Sequence, residues 1–178
     1  MATADLIPPR FRGPGLAPGE LARVQGEAEV SLPEDLAELL TACLPTGPGF
    51  PDWRGEPAVA MTRWREQVLD GVLFDVDANA VWLDQWGERP ADEGEARDAA
   101  TELVRSAPDL IPIYGHRGIP DEPLEPGNPV FSVVQTDVIV YGVDLEDYLR
   151  NEFHRQHLRP VTAGERDIRF WTALARAA

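Results

Sequence analysis

The chain contains no lysine. Its 16 basic residues are all Arg, and 31 Asp and Glu residues leave a net charge of −15. A field of that sign repels a phosphate backbone, because binding to DNA or RNA depends on Lys and Arg displacing condensed counterions. Direct nucleic-acid binding is therefore not expected. The acidity favours solubility, and it would also attract and steer a basic protein partner. Cysteine is almost as scarce. Cys43 is the one thiol, which excludes an intrachain disulfide and a cysteine-rich metal site. Set among leucines, it reads as a small core residue. Long apolar runs are missing too, and none approaches the roughly 20 residues that cross a bilayer. The opening MATADLIPPRFRGPGL is broken by prolines and lacks the apolar segment of a secretory leader. These absences together lead to the expectation of a cytoplasmic protein with no membrane association.

What remains is an ordinary globular composition, 43% apolar and 26% charged over 178 residues. A chain of this length suits one domain that buries roughly 70% of its unfolded surface. Residues 1–17 are rich in Pro and Gly and read as an irregular segment, with a single domain over 18–178. Pro18-Gly19-Glu20 opens a short helix to about Glu27. Ser31 reads as the cap of a second helix, with Glu34 as its capping-box partner and Pro33 in the first turn. Leu36, Leu39, Leu40, Cys43 and Leu44 then share one helical face, and Pro45 stops it. A Gly/Pro loop carries Phe50 and Trp53. The next helix is expected over 57–70, with Val59, Trp64 and Val68 inward and Gly71 as terminator. VLFDV and VWLDQW read as two strands split by a turn at Asp77, Ala78 and Asn79. A helix over 92–106 follows, with Ala96, Ala99, Ala100, Leu103 and Val104 inward.

The last third is the densest in strands. LIPIY (110–114), PVFSVV (129–134) and VIVYG (138–142) are β-rich runs, and the short Gln135-Thr136-Asp137 connection predicts an antiparallel hairpin. Asp144 can cap a closing helix with Leu145, Tyr148, Leu149 and Phe153 on its core face. A tail helix over 167–177 is expected to dock through Ile168, Trp171 and Leu174. Helices first and strands late indicate an α+β fold with a mainly antiparallel sheet flanked by helices.

The same third concentrates the polar residues that could do chemistry: Tyr114, His116, Arg117, Asn128, Gln135 and Asp137. His116 follows a strand in a Gly-flanked loop, where a general base could stand. No Ser or Cys sits in a nucleophile-like context beside it, so a loop histidine bonded to backbone is the better reading. Asp137 suits a turn, and Arg117 could pair with it across the sheet edge. Asp75-Val76-Asp77-Ala78-Asn79 matches the start of a calcium loop, but Ala80 replaces its Gly and Trp86 its final Glu. A turn between strands accounts for Asp77 and Asn79 without metal. His154 and His157 lack the Glu and third ligand of a zinc motif, and an exposed, solvated pair is expected. Gly127-Asn128-Pro129 reads as a turn rather than a phosphate cradle. No catalytic set, cofactor site or metal site is assigned. Most of the five Trp residues read as core; Trp53 and Trp86, flanked by Gly, Pro and charge, could instead be partly exposed interface anchors, but core is the better reading for them too.

Read together, several blocks resemble the SUKH superfamily, which includes fungal cell-wall-assembly regulators and small bacterial immunity proteins. They are LPEDLAELL (32–40), GFPDWR (49–54), FDVDANAVWLDQWGERP (74–90), LIPIYGHRGIP (110–120) and GNPVFSVVQTDVIVYGVDLEDYLRNEF (127–153). The resemblance runs from about Glu20 to Phe153 and extends to Phe170 and Trp171. It implies an antiparallel sheet backed by helices and a protein-binding role rather than catalysis. Bacterial members often bind and neutralise a cognate toxin. Gly118 stands where an aromatic is common in its block, which would open a small pocket beside His116. The preferred expectation is a non-enzymatic binding protein of immunity type, with a basic toxin domain as its partner. Trp53, Arg54, Trp86, Tyr114, His116, Arg117, Gln135 and Asp137 are the candidate contact residues. A regulatory scaffold or ligand-binding module of a housekeeping pathway is the alternative. A hydrolase using His116 and Asp137 with Tyr114 is the third reading.

Overall fold

A computed structural model of the chain describes residues 3–156 and 166–177. The fold is α+β, with antiparallel sheets of two and four strands. Order begins earlier than residue 18. Two 3-10 turns, Thr3–Leu6 and Pro9–Phe11, lead into strand β1 (Arg12–Pro14). That strand pairs antiparallel with β2 (Cys43–Pro45). The expectation of an irregular opening segment is corrected because Leu6, Ile7 and Leu16 are all fully buried. Apolar anchoring has overridden the Pro/Gly composition.

Helix α1 (Pro18–Ala28) starts where Pro18 places it, and Glu20 reaches back to accept the Ala17 N–H. Helix α2 (Glu34–Ala42) begins two residues later than a Ser31 cap would give, with no side-chain cap. Asp35 instead accepts the N–H of Leu36 and that of distant Gly127. Leu36, Leu39 and Leu40 are buried as their spacing requires, whereas Cys43 and Leu44 are buried on β2 and not on the helix.

The largest correction concerns helix α3. It runs from Pro57 through Gly71 to Ala78, and no strand occupies VLFDV. Met61, Trp64, Val68, Val72 and Val76 continue one buried stripe at spacings of three and four, so helical packing decides the segment. Val59, expected inward, is exposed. VWLDQW is not a strand either; it holds a short 3-10 turn, Asp84–Trp86. Helix α4 (Glu93–Ser106) follows, and the Asp92 side chain accepts the Glu95 N–H as its cap.

The main sheet has the order β3 (Leu110–Tyr114), β4 (Arg117–Pro120), β5 (Val130–Val134), β6 (Asp137–Gly142). All neighbours are antiparallel, and β5 joins β6 through the short hairpin that the sequence implied. One sheet face lies against helix α5 (Leu145–His154), α2 and the N-terminal turns, with Ile111, Ile119, Val130, Tyr148 and Leu149 in that core. The other carries Leu110, Phe131, Val133 and Val138 against α3 and helix α6 (Trp171–Ala177). Asp144 caps α5 as expected by accepting the Asp147 N–H, and Ile168, Trp171 and Leu174 dock the tail. No helix of the described residues is long and apolar enough to cross a membrane.

Candidate interaction site on the sheet

The two tight hairpins bring one polar cluster to the sheet face beside α5. β3 turns into β4 through Gly115 and His116, with Gly115 at φ +57°. Arg117 is therefore a strand residue, opposite Ser132 on β5, and Ser132 in turn faces Ile139 on β6. Directly opposed residues share a face, so Arg117, Ser132 and Ile139 form one row across three strands.

Arg117 is held from several directions. Its Nη1 donates to Ser132 Oγ at 3.0 Å, and its guanidinium lies 3.9 Å from the centroid of the Tyr141 ring. Glu152 of α5 is its ion-pair partner, with Nε and Oε2 3.5 Å apart. The expected pairing with Asp137 does not form. Asp137 sits at the far end of the hairpin opposite Val134, whereas α5 places Glu152 directly against Arg117. Both ion-pair side chains are largely buried, 12% and 18% exposed, which removes them from the weak class of surface pairs. Among the described residues, Arg117 Nε, Glu152 Oε2 and the buried Tyr148 hydroxyl have no hydrogen-bond partner. Burial, with the Glu152 carboxylate close by, pushes the Tyr148 phenol far above its ordinary pKa.

His116 is exposed at the turn, and its carbonyl accepts the Val133 N–H. Partial burial and the adjacent Arg117 charge lower its pKa, while Glu152 opposes that shift. From the outer end of the Arg117 row toward the β5–β6 turn the sheet face is uncovered: Ile139 is 43% and Val134 51% exposed, beside the exposed side chains of Gln135 and Asp137. The patch is thus a small apolar surface with an anchored cation at its inner edge. Among the described residues, no hydrogen bond links Tyr114, His116 and Asp137, and no cluster of His, Cys, Asp and Glu is arranged for a metal ion.

The remaining candidates lie elsewhere. Tyr114 packs into an aromatic group with Phe11, Phe50 and Phe153, its ring 4.7 Å from that of Phe50. Trp53 is only 2% exposed and belongs to the core, so it is not an interface anchor. Arg54 is fastened to Glu20 at 2.8 Å and to the carbonyls of Pro14 and Gly15, closing the loop onto α1. Trp86 is half-buried on the opposite side, stacked on Phe170 at 5.6 Å. Gly118 opens no pocket beside His116; it faces the other way, where a Cβ would lie 3.1 Å from Trp64 Cζ2.

Asp75 and Asp77 lie in the last turn of α3 and Asn79 is its C-cap, so Asp77 and Asn79 do not form a turn between strands. The buried Asp75 carboxylate accepts from Asn79 Nδ2 and from Thr136. Buried Asn128 fastens the loop before β5, donating to the carbonyls of Pro120 and Pro123 and accepting from Arg166. His154 is exposed yet not merely solvated, since its Nε2 lies 2.9 Å from the Leu6 carbonyl. His157 lies outside the described residues.

Ser132, Tyr141 and Glu152 escaped the sequence reading of the site. Tyr148 and Glu152, spaced i and i+4 on one helix, offered the available signal: a carboxylate in line with a core-facing aromatic. Against protein-family models, curated proteins and solved structures, the chain finds no match.

Proposed function

We propose that this chain is a non-enzymatic cytoplasmic binding protein of immunity type, which neutralises a basic toxin domain through the uncovered end of its main sheet. One observation carries the proposal: Val134 and Ile139 are exposed in direct continuity with the largely buried Arg117–Glu152 pair. An apolar spot on rigid hairpins, edged by an anchored Arg, is the composition of a binding hot spot. The net charge of −15 would steer a basic partner to it and resist nucleic acid. The SUKH-like sequence blocks support the same role.

The test is co-expression with a toxin encoded beside its gene, joined to affinity capture at low and high salt. Growth protection and a basic captured partner, with an association rate that falls as salt rises, are expected. Absence of protection together with a non-basic partner would overturn the proposal.

A further inference from the structure

We propose that a second site, a cleft of about 380 Å3 between α3, α4, the start of β3 and α6, binds a small organic monoanion with a flat apolar body, such as an aromatic carboxylate. The volume falls in the range of small-molecule sites, which are concave and mostly apolar with a few polar groups. Trp64, Val68, Val104, Leu110 and Trp171 supply an apolar wall with two indoles. Such walls favour a planar, unsaturated body over a flexible polar one.

The polar groups at the cleft are unequally committed. The Trp171 indole N–H donates to the Pro108 carbonyl at 2.7 Å. The Trp64 indole N–H is buried and has no acceptor among the described residues. Arg65 is engaged with Asp109 Oδ2 at 2.6 Å and with the carbonyls of Ala28 and Glu29. Arg105, by contrast, lines the cleft with no hydrogen bond or ion pair among the described residues. An uncommitted guanidinium beside an apolar wall is the complement of a carboxylate on an aromatic ring. Asp109 is neutralised by Arg65, but Glu66 also lines the cleft, so the site accepts a single negative charge and disfavours a dianion.

The experiment titrates the whole 15N-labelled chain with 2-naphthoate and separately with 2-naphthamide, following the indole N–H signals of its five tryptophans. Saturable shifts at the Trp64 and Trp171 indoles are expected, with the core Trp53 signal unmoved. Arg105 is exposed on α4, so Arg105→Gln leaves the fold intact and is expected to weaken naphthoate binding by about tenfold. The uncharged amide is expected to bind the native chain about as weakly as naphthoate binds the variant. Absence of saturation by about 1 mM naphthoate overturns the site. Shifts confined to other indoles overturn it equally. Unchanged affinity in Arg105→Gln, or equal affinity for amide and acid, overturns its assignment to an anion.

Discussion

The carboxylate of Asp75 accepts two hydrogen bonds from one distant residue, the Thr136 N–H at 2.9 Å and its hydroxyl at 2.5 Å. This contact ties the end of α3 to the turn of the β5–β6 hairpin. Its neighbour Gln135 holds φ at +58°, a conformation that costs a non-glycine residue and persists only when the surroundings fix it. Burial opposes ionisation of Asp75, but the bonds from Thr136 and Asn79 outweigh it and hold the carboxyl below its ordinary pKa. The native state therefore binds this proton less tightly than the unfolded chain. The stabilisation is present above the unfolded value near pH ~4 and is lost as pH falls through the folded value.

Asp75→Ala is expected to lower stability by about 2–3 kcal/mol in urea denaturation at neutral pH, because it orphans the Thr136 N–H. Thr136→Val removes only the hydroxyl bond and should cost about 1 kcal/mol. The double variant should lose less than the sum, since both changes remove the same bond. Strict additivity would show that the two residues are not coupled.

Arg117 and Glu152 make a different kind of contact, a pair largely withdrawn from water. Removing one member leaves a charge without its partner, so Glu152→Ala should cost about 3 kcal/mol. Replacing both by apolar residues, Arg117→Met with Glu152→Leu, should cost less than either single change. His116 offers an independent readout by NMR titration. Arg117→Met should raise its pKa and Glu152→Gln should lower it, following the signs with which the two charges act on it. Movement of both variants in one direction would refute the electrostatic account.

Asp121 has the opposite proton linkage to Asp75. Its Oδ1 is buried with no hydrogen-bond partner among the described residues, and burial, with Asp109 and Glu122 nearby, raises its pKa to about 6. The folded chain holds this proton more tightly than the unfolded one. Its contribution is therefore full below pH ~4 and is lost as pH rises through about 6. Asp121→Asn should gain about 1–2 kcal/mol over the native chain at pH ~8, and the gain should vanish near pH ~4. An equal difference at both pH values would assign the effect to packing rather than titration.

The contrast between α3 and the late strands shows what local pattern reveals. β3, β5 and β6 are short runs rich in β-branched and aromatic residues closed by turn residues, and they were legible to within a residue or so. VLFDV has the same composition, but it extends a stripe that begins at Met61, and a period of 3.6 over 22 residues outweighs five residues of β propensity. Gly71 misleads for a related reason. A Cβ there would stand 3.0 Å from Gln135 Cα, so the glycine serves the close approach of the hairpin and not a helix end. β4 was hidden because Gly118 and Pro120 are poor strand formers; pairing on both sides makes the strand. Arg117–Glu152 could not be read at all, since only the docking of α5 brings the two together.

Val134 and Ile139 decide whether the uncovered sheet end binds anything. Both are exposed, so exchanging each for Thr keeps the β-branched shape and should change stability by no more than about 0.5 kcal/mol. If the patch is a hot spot, the double variant should weaken partner binding by at least about tenfold and abolish growth protection. Leu124 provides the control: it is equally exposed at 47% but lies in the loop between β4 and β5, and Leu124→Thr should alter neither. General stickiness would make the three substitutions additive in binding, whereas a localised site confines the loss to the two sheet residues. Equal losses at Leu124 and at the sheet pair would sink the assignment of the interface to the sheet end, while leaving a binding role for the chain intact.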